Sequence, residues 1–316
     1  MSRRSRRSSS EPPTPSLAGR QTLPTGELTT DSGRVELVPD RDDPDAFTLM
    51  VNGVPSSFVD LGDPTNVGFE YMEIMCAVIA TVPPGPLDVV HLGAAGCGMA
   101  RALEALRPGS RQIGVDVDGS LLELVRRWFD LPRSPRLRLR AGDARTQLAT
   151  LPSGSQDVVV RDVFAGDTTP GHLVTAEFTA DVLRVLRPGG LYLVNCADRP
   201  PLTSARAEVA TLRTALTHVT DRAPTHPGQI AVISEPALLK GRRYGNLVLA
   251  AVAPSTDAGS ARSADLTSSS LARALRSLAV PASLLQDDEL ARFVGQAPVL
   301  HDVGTTPSGR RDGQPG

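Results

Sequence analysis

From residue 87 to residue 252, short apolar segments alternate with segments whose apolar residues recur at helical spacing. Five strand–helix pairs follow one another, and two strands without a helical pattern between them end the series. This order favours an α/β fold with a doubly wound, mostly parallel sheet, closed by one antiparallel strand at its end. The predicted strands are 87–92, 112–117, 137–141, 157–162, 191–195, 230–234 and 246–252. The predicted helices are 99–106, 121–129, 145–151, 175–186 and 204–215.

The segments outside this series have different patterns. Residues 34–60 alternate between apolar and polar, and Asn52-Gly53 is a strong hairpin signal, so a small N-terminal β unit is expected, with a helix over 66–81. The resulting division is a disordered tail (1–33), a β-hairpin unit (34–65), the α/β domain (66–253), a linker (254–270), a C-terminal helical segment (271–302) and a disordered tail (303–316).

Composition limits the function. The chain has 33 basic and 35 acidic residues, and four of the basic ones lie in the first ten positions, so the body of the chain is mildly acidic. This charge and an aromatic content of 3% argue against nucleic-acid binding. No apolar run is long enough to span a membrane, and no apolar stretch follows the basic start as in a secretory signal. The three cysteines and five histidines show neither a disulfide framework nor metal-ligand spacing. We therefore expect a cytoplasmic protein without a metal.

A glycine-containing loop follows the first strand of the series. Gly93, Ala94, Ala95 and Gly96 open a helix, and small residues there allow a ligand to approach the free backbone N–H groups of its first turn. Asp116 lies 20 residues beyond Gly96 at the end of the second strand, where a carboxylate can accept hydrogen bonds from both ribose hydroxyls. The alternatives for Asp116 are a helix N-cap or a solvated loop acid.

Two further carboxylates follow strand ends. Asp143, after the third strand, can accept a hydrogen bond from an adenine amine, and it can also cap the next helix. Asp162 ends the fourth strand and is expected to face the crevice beyond the carboxyl ends of the strands. The following loop adds Asp167 and leads to His172, although a lone histidine is more often a cap or a surface residue.

Residues 34–252 resemble the spermidine synthase family of aminopropyltransferases, especially the spermidine-synthase-like proteins of high-GC bacteria. The order and spacing of eight motifs match. They are 51–56 (LDGxxQ in the family), 71–73 (YHE), 93–98 (GGGDGG), 115–118 (VEID), 142–145 (GDAR), 162–165 (DxxD), 175–178 (TxEF) and 186–190 (LKPGG). The resemblance implies a Rossmann-like, class I S-adenosylmethionine-dependent methyltransferase fold with a small N-terminal β unit.

The resemblance also implies an activity, the transfer of an aminopropyl group from decarboxylated S-adenosylmethionine to a small-molecule amine in polyamine biosynthesis. Asp162 would deprotonate the amine, Asp116 would hold the ribose and Asp143 the adenine. The implied cofactor-binding residues are Gly93, Ala94, Ala95, Gly96, Asp116, Val117, Gly142, Asp143 and Ala144. The implied substrate residues are Glu73, Asp167 and His172. Family members are commonly oligomers, so a homodimer is expected.

Four family residues are replaced, and all four grip the aminopropyl chain or the amine. Ser56 stands for Gln, Met72 for His, Gly96 for Asp, and Ala165 for the second Asp of DxxD. Each loss removes a charge-assisted hydrogen bond of ~1.5–3 kcal/mol. Two alternatives follow. One is a methyltransferase that uses S-adenosylmethionine itself, with the missing side chain at Gly96 leaving room for the cofactor's carboxylate. The other is a non-catalytic relative that binds a nucleoside.

Overall fold

The computed structural model of the chain describes residues 23–217, 226, 228–256 and 263–304. Its N-terminal part is a four-stranded antiparallel sheet in the order β1-β2-β3-β4. The strands are β1 (Leu28–Thr30), β2 (Gly33–Pro39), β3 (Ala46–Val51) and β4 (Val54–Asp60). Asn52 and Gly53 have φ angles of 51° and 77° between β3 and β4, which are the positive values a two-residue hairpin turn requires. The predicted hairpin is thereby confirmed.

The prediction that residues 1–33 form a disordered tail is wrong for its last part, because strand β1 lies within this range. The turn after β1 is held by a residue that is remote in sequence. The backbone N–H groups of Asp31 and Ser32 donate to the Asp118 carboxylate over 3.2 and 3.0 Å. The residues around this turn give no indication in the sequence that Asp118 is its partner. Residues 1–22, which contain the basic cluster, lie outside the described residues.

The second sheet has eight strands in the order β12-β10-β11-β9-β8-β5-β6-β7. The strands are β5 (Asp88–Leu92), β6 (Arg111–Asp116), β7 (Leu137–Ala141), β8 (Gln156–Arg161), β9 (Leu186–Asp198), β10 (Gln229–Ser234), β11 (Gly245–Val252) and β12 (Ser283–Leu285). Strands β5 to β9 are mutually parallel. Every residue of β8 is buried, as expected for a central strand covered on both faces. The predicted doubly wound sheet is confirmed.

The sequence suggested a reversed strand at the end of the sheet, but in the structure the reversed strand lies inside the sheet. Strand β11 lies between β9 and β10 and is antiparallel to both. Its last six residues are all buried, which a strand paired on both sides permits. A second reversed strand, β12, pairs with β10 and forms the edge. Hydrophobic periodicity indicates where strands occur but not which strands pair, so it does not predict this strand order.

Helices cover both faces of this sheet. They are α1 (Glu70–Ile79), α2 (Gly98–Leu106), α3 (Gly119–Trp128), α4 (Ala144–Ala149), α5 (Ala176–Val185), α6 (Thr203–Thr217), α7 (Pro236–Leu239), α8 (Ser269–Arg276) and α9 (Asp287–Val294), with a 3₁₀ turn at Gly171–Leu173. One core lies under α4, α5, α6 and α9, and another under α1, α2 and α8. A third core joins α3 to the N-terminal sheet. Within the described part of the chain, no helix has the length and apolar character needed to cross a membrane.

The C-terminal segment differs from the purely helical prediction for 271–302. Helix α8 already begins inside the predicted linker, where the Ser268 hydroxyl accepts from the Leu271 N–H at 3.3 Å. Strand β12 then pairs Ser283 with Ser234 before α9 begins. A strand of three residues is too short to show a period of two in the sequence. The predicted tail 303–316 is described only as far as residue 304.

Candidate active site

The loop between β5 and α2 lies against the end of β8. Gly93 has a φ of +86°, and a Cβ atom there would approach the Asp162 carbonyl oxygen to 2.0 Å. The Asp162 N–H in turn donates to the Leu92 carbonyl at 2.8 Å. Only glycine fits at this crossing, because both the backbone angle and the space exclude a side chain. The glycine loop and the candidate base are therefore held in direct backbone contact.

Asp116 lies at the end of β6 and faces the same loop. Its Oδ2 accepts from the Ala95 N–H at 2.8 Å, and its Oδ1 accepts from the Asp118 N–H at 3.0 Å. Burial raises the pKa of Asp116, although these hydrogen bonds oppose the rise. Asp118, not Asp116, caps α3, since its Oδ1 accepts from Leu121 at 2.8 Å. The cap alternative for Asp116 is thus wrong, and its free lone pairs can accept from two vicinal hydroxyls.

The neighbouring strand end carries Asp143. The Gly142 N–H donates to the Asp116 carbonyl at 2.8 Å, which joins the ends of β7 and β6. Asp143 caps α4 through the Thr146 N–H at 2.9 Å, as the sequence suggested, and its Oδ2 contacts His172 Nε2 at 2.7 Å. Burial acts to raise the pKa of Asp143, but the hydrogen bonds from Thr146 and His172 outweigh burial and lower this pKa. Ala144 begins α4 and is buried, whereas Val117 is 68% exposed beside Asp116.

Asp162 is held by two side chains that reach it from different elements. The Tyr71 hydroxyl on α1 donates to Oδ2 at 2.8 Å, and Asn195 Nδ2 on β9 donates to Oδ1 at 2.8 Å. Burial raises the pKa of Asp162, and the two hydrogen bonds partly offset this. Asn195 is 2% exposed, and its Oδ1 has no hydrogen-bond partner among the described residues. The result is an oriented carboxylate whose remaining lone pairs are available to a proton donor.

Sequence reasoning did not select Tyr71 or Asn195 as site residues. Tyr71 stands in a matched motif, which was a usable signal. Asn195 is an amide at the last position of an otherwise apolar predicted strand. A polar group at the carboxyl end of a buried strand needs a hydrogen-bond partner, and this signal was available too.

A cavity of about 30 Å³ opens beside Asp162. This volume holds about two water molecules. Its walls come from β4, α1, α2 and the strand ends, and Asp162 is the one carboxylate among them. The lining residues are Ser56, Ser57, Met72, Met75, His91, Gly93, Ala94, Ala95, Cys97, Gly98, Met99, Ala100, Gly114, Val160 and Asp162. Two of the four replaced family positions, Ser56 and Met72, therefore face the same small and largely apolar space.

Gly96 does not leave room for an additional carboxylate, contrary to expectation. A Cβ atom at Gly96 would lie 2.7 Å from the Ser57 Cβ and 3.4 Å from a Val59 methyl group. The Gly96 N–H donates to the Ser57 hydroxyl at 3.0 Å. Strand β4 thus occupies the direction that a side chain at position 96 would take.

His91 forms a neutral part of the cavity wall. Its Nε2 contacts Gln112 Oε1 at 2.8 Å, while Gln112 Nε2 donates to the Ala100 carbonyl at 2.9 Å. Since Oε1 of this amide is the acceptor, Nε2 of His91 carries the proton. Burial lowers the pKa of His91 to about 4. The cavity therefore contains no cation from this residue at neutral pH.

The three predicted substrate residues are not gathered around Asp162. His172 contacts Asp143 instead. Asp167 is exposed and pairs with Arg199 at 3.2 Å. Glu73 does not line the cavity, and its Oε2 is buried without a hydrogen-bond partner among the described residues. Among the described residues, no group of three or more His, Cys, Asp or Glu side chains is arranged so that it could bind a metal ion.

The sheet order, the glycine loop and the carboxylates at the ends of β6, β7 and β8 define a class I S-adenosylmethionine-dependent methyltransferase-like fold. A family model described as a methyltransferase domain matches residues 93–194. The crystal structure of a probable spermidine synthase from Corynebacterium glutamicum is 34% identical, with a TM-score of 0.77, and the match covers 90% of this chain and 99% of that one. The chain belongs to the spermidine synthase-like family.

Curated proteins match over shorter stretches. A polyamine aminopropyltransferase from Vibrio vulnificus is 30% identical over 114 residues, which is 35% of this chain and 38% of that protein. The eEF1A lysine and N-terminal methyltransferase of Danio rerio is 28% identical over 123 residues, or 36% of this chain and 18% of that protein. The chain thus spans well under half the length of both. Its relatives are transferases of two kinds.

Proposed function

We propose that this chain is an aminopropyltransferase that moves the aminopropyl group of decarboxylated S-adenosylmethionine to a small amine, as in polyamine biosynthesis. One observation carries the proposal. Asp162 is oriented by Tyr71 and Asn195 and lies in backbone contact with the glycine loop. A carboxylate with a raised pKa at that point suits the removal of a proton from an attacking amine.

The nucleoside half of the donor would be held at the ends of β6 and β7. Asp116 would accept from the two ribose hydroxyls, and Asp143 from the exocyclic amine of adenine. The exposed Val117 side chain, next to Asp116 in the sequence, offers an apolar surface to the base. The backbone of 93–96, Gly142 and Ala144 would complete the wall. The existing hydrogen bonds to Asp116 and Asp143 support this, because they orient both carboxylates without using all their lone pairs.

In the proposed reaction, the amine nitrogen attacks the methylene carbon next to the sulfonium. The new C–N bond forms as the C–S bond breaks. The electron pair of the C–S bond goes to sulfur, so that neutral methylthioadenosine leaves. The amine is a cation in water with a pKa of ~10, and Asp162 would take a proton from it. The remaining acceleration would come from holding nitrogen, carbon and sulfur in line.

A second candidate is methyl transfer from S-adenosylmethionine, and the cavity beside Asp162 favours it. The space is about 30 Å³, and its wall has no carboxylate other than Asp162 to hold a distal ammonium group. A methyl group, unlike an aminopropyl group, carries no ammonium and needs no such anion. The third reading, a nucleoside-binding relative without activity, shares the nucleoside site and lacks the reaction.

Product analysis separates these three readings. The purified chain is incubated with each donor in turn and with putrescine, cadaverine, spermidine or agmatine, and the nucleoside product is identified by mass spectrometry. Methylthioadenosine formed from the decarboxylated donor supports aminopropyl transfer. S-Adenosylhomocysteine formed from the other donor supports methyl transfer and contradicts the main proposal. If neither product forms, calorimetry with methylthioadenosine tests whether the nucleoside site exists.

A further inference from the structure

The C-terminal segment that follows α9 is attached to the nucleoside side of the site. The Asp302 carboxylate pairs with Arg145 through two hydrogen bonds of 2.8 and 2.7 Å. Both side chains are only about a quarter exposed, at 27% and 26%. Two parallel bonds fix a guanidinium in orientation as well as in position. Asp302 therefore sets the direction in which Arg145 points.

Arg145 uses this orientation to hold the 3₁₀ turn at Gly171–Leu173. Its Nη1 also donates to the His172 carbonyl at 3.3 Å. A second arginine holds the same turn, since the buried Arg161 donates to the Leu173 carbonyl at 2.7 Å. Two consecutive carbonyl groups are thus bound by two arginines from different elements. Of these two arginines, Arg145 is the one that is itself held by the C-terminal segment.

His172 connects this turn to the carboxylate proposed to bind adenine. Its Nε2 lies 2.7 Å from Asp143 Oδ2, while Asp143 Oδ1 is used by the cap of α4. His172 is about half exposed, so packing alone does not fix its ring. Thr146 holds Oδ1 through two hydrogen bonds, but the hydrogen bond to Oδ2 depends on where the turn places His172.

The segment is anchored independently of Arg145. The Ala176 N–H donates to the Leu300 carbonyl at 2.8 Å, and the Leu300 N–H donates to the Thr211 hydroxyl at 2.9 Å. Glu177 accepts from the Asp302 N–H at 3.0 Å and contacts His301 Nδ1 at 2.9 Å. These contacts bind 300–302 to the beginning of α5 and to α6. A change confined to the Asp302 carboxylate should therefore leave the backbone of the segment attached.

We propose that Asp302 is a positioning residue for nucleoside recognition, acting through Arg145 and His172 on Asp143. This inference rests on the nucleoside half of the proposed function and makes no claim about the transferred group. Asp302 does not line the cavity beside Asp162, so its role concerns donor affinity and not the transfer step.

The test uses Asp302→Asn in the full chain, with Glu104→Gln as the matched control. Glu104 also pairs with an arginine, Arg136, at 2.8 Å, but it stands near the C-terminal end of α2, whereas the first turn of that helix lines the site. Affinity for methylthioadenosine is measured by calorimetry at a temperature where each variant is fully folded. We expect Asp302→Asn to weaken binding about tenfold, the order of one lost hydrogen bond, and Glu104→Gln to leave it unchanged. Asp302→Glu, which keeps the carboxylate, should restore part of the affinity.

Hydrogen exchange gives a second readout that a general loss of stability does not imitate. In Asp302→Asn, exchange should become faster at residues 172–174, while β5 and β8 keep the rates of the wild type. If that variant does not fold, Arg145→Lys removes the paired geometry from the other side of the contact and is measured in the same way.

Unchanged affinity in a folded Asp302→Asn variant would overturn the inference. A wild-type chain that does not bind methylthioadenosine would overturn the inference together with the nucleoside half of the proposed function. If the wild type binds, the variant binds more weakly, and no amine accepts an aminopropyl group, then only the proposed transfer reaction is wrong.

Discussion

The Tyr71 hydroxyl donates to Asp162 Oδ2 over 2.8 Å and thereby joins helix α1 to the end of strand β8. Tyr71 is 7% exposed, and burial and the neighbouring Asp162 charge keep the pKa of its hydroxyl well above the usual value. Tyr71 thus remains a hydrogen-bond donor at every pH at which the chain is expected to work. The contact stabilises the charged form of the Asp162 carboxyl.

Replacement of Tyr71 should therefore change the pH dependence of the reaction. The hydroxyl lowers the pKa of Asp162 against the rise that burial causes, so Tyr71→Phe raises this pKa further. We expect the acidic limb of kcat/KM to move to higher pH by about one unit. Tyr244→Phe is the control, because Tyr244 is 51% exposed and the tyrosine hydroxyl that donates to Asp162 is that of Tyr71. An acidic limb at the same pH in Tyr71→Phe and in the wild type would contradict the assigned contact.

Asp116 and Asp118 allow a comparison between binding and stability two residues apart. Asp116→Asn removes the charged acceptor proposed for the ribose hydroxyls, so affinity for methylthioadenosine should fall roughly 10- to 100-fold. The free energy of unfolding should fall by only about 1 kcal/mol, because the amide keeps one of the two acceptors for the Ala95 and Asp118 N–H groups and Asp116 caps no helix. Calorimetry and urea unfolding measure the two quantities separately.

Asp118→Asn should show the opposite behaviour. Asp118 is 0% exposed, caps α3 and binds the Asp31–Ser32 turn. Its replacement should lower the free energy of unfolding by about 2 kcal/mol, from a weakened cap and weakened charge-assisted hydrogen bonds. Nucleoside affinity should stay within a factor of about three of the wild type. If Asp118→Asn instead weakens binding as much as Asp116→Asn does, the assignment of the ribose site to Asp116 is wrong.

Ser57 packs so closely against Gly96 that a methyl group at position 96 has no space. Gly96→Ala forces β4 away from the glycine loop and should cost about 1–3 kcal/mol of stability in chemical unfolding. Gly96 has an ordinary backbone angle, so the cost is steric. Ser57→Gly in the same chain should recover part of this loss. A Gly96→Ala variant as stable as the wild type would show that the N-terminal sheet does not pack against this loop.

A buried ion pair supports the segment that follows Asp162. Arg161 and Glu208 are in contact at 2.7 Å with side chains 1% and 8% exposed. Glu208→Gln leaves the Arg161 charge buried without its partner and should lower the free energy of unfolding by about 3–5 kcal/mol. Glu27→Gln, which breaks the exposed pair with Arg34, is the control and should have no measurable effect. A small effect of Glu208→Gln would indicate that water reaches Arg161.

The sequence predicted the parallel core of the fold closely, because each element there has an apolar pattern of its own. The predicted strand 137–141 coincides with β7, and the other predicted boundaries of β5 to β8 differ by at most one residue. The position of β11 between β9 and β10 could not be read in the same way, since strand order depends on pairing between remote segments. The unbroken burial of Leu247–Val252 in β11, visible as an apolar run, was the available clue to an interior position.

The site was predictable where a residue's role follows from its place at a strand end. Asp116, Asp143 and Asp162 all lie at carboxyl ends of parallel strands, as expected from their positions in the sequence. Contacts that join distant segments were not predictable. The contact between His172 and Asp143 spans 29 residues, and the contact between Arg145 and Asp302 spans 157. Such pairs leave no mark in local periodicity.

The central claim is that Asp162 accepts the proton of an attacking amine. Single-turnover release of methylthioadenosine from decarboxylated S-adenosylmethionine, with excess amine, tests it by comparing the wild type with Asp162→Asn. The variant keeps the shape of the side chain and should bind methylthioadenosine within about threefold of the wild type. Its transfer rate should be lower by roughly 10²- to 10⁴-fold. An Asp162→Asn variant that binds the nucleoside and transfers at the rate of the wild type would contradict the account.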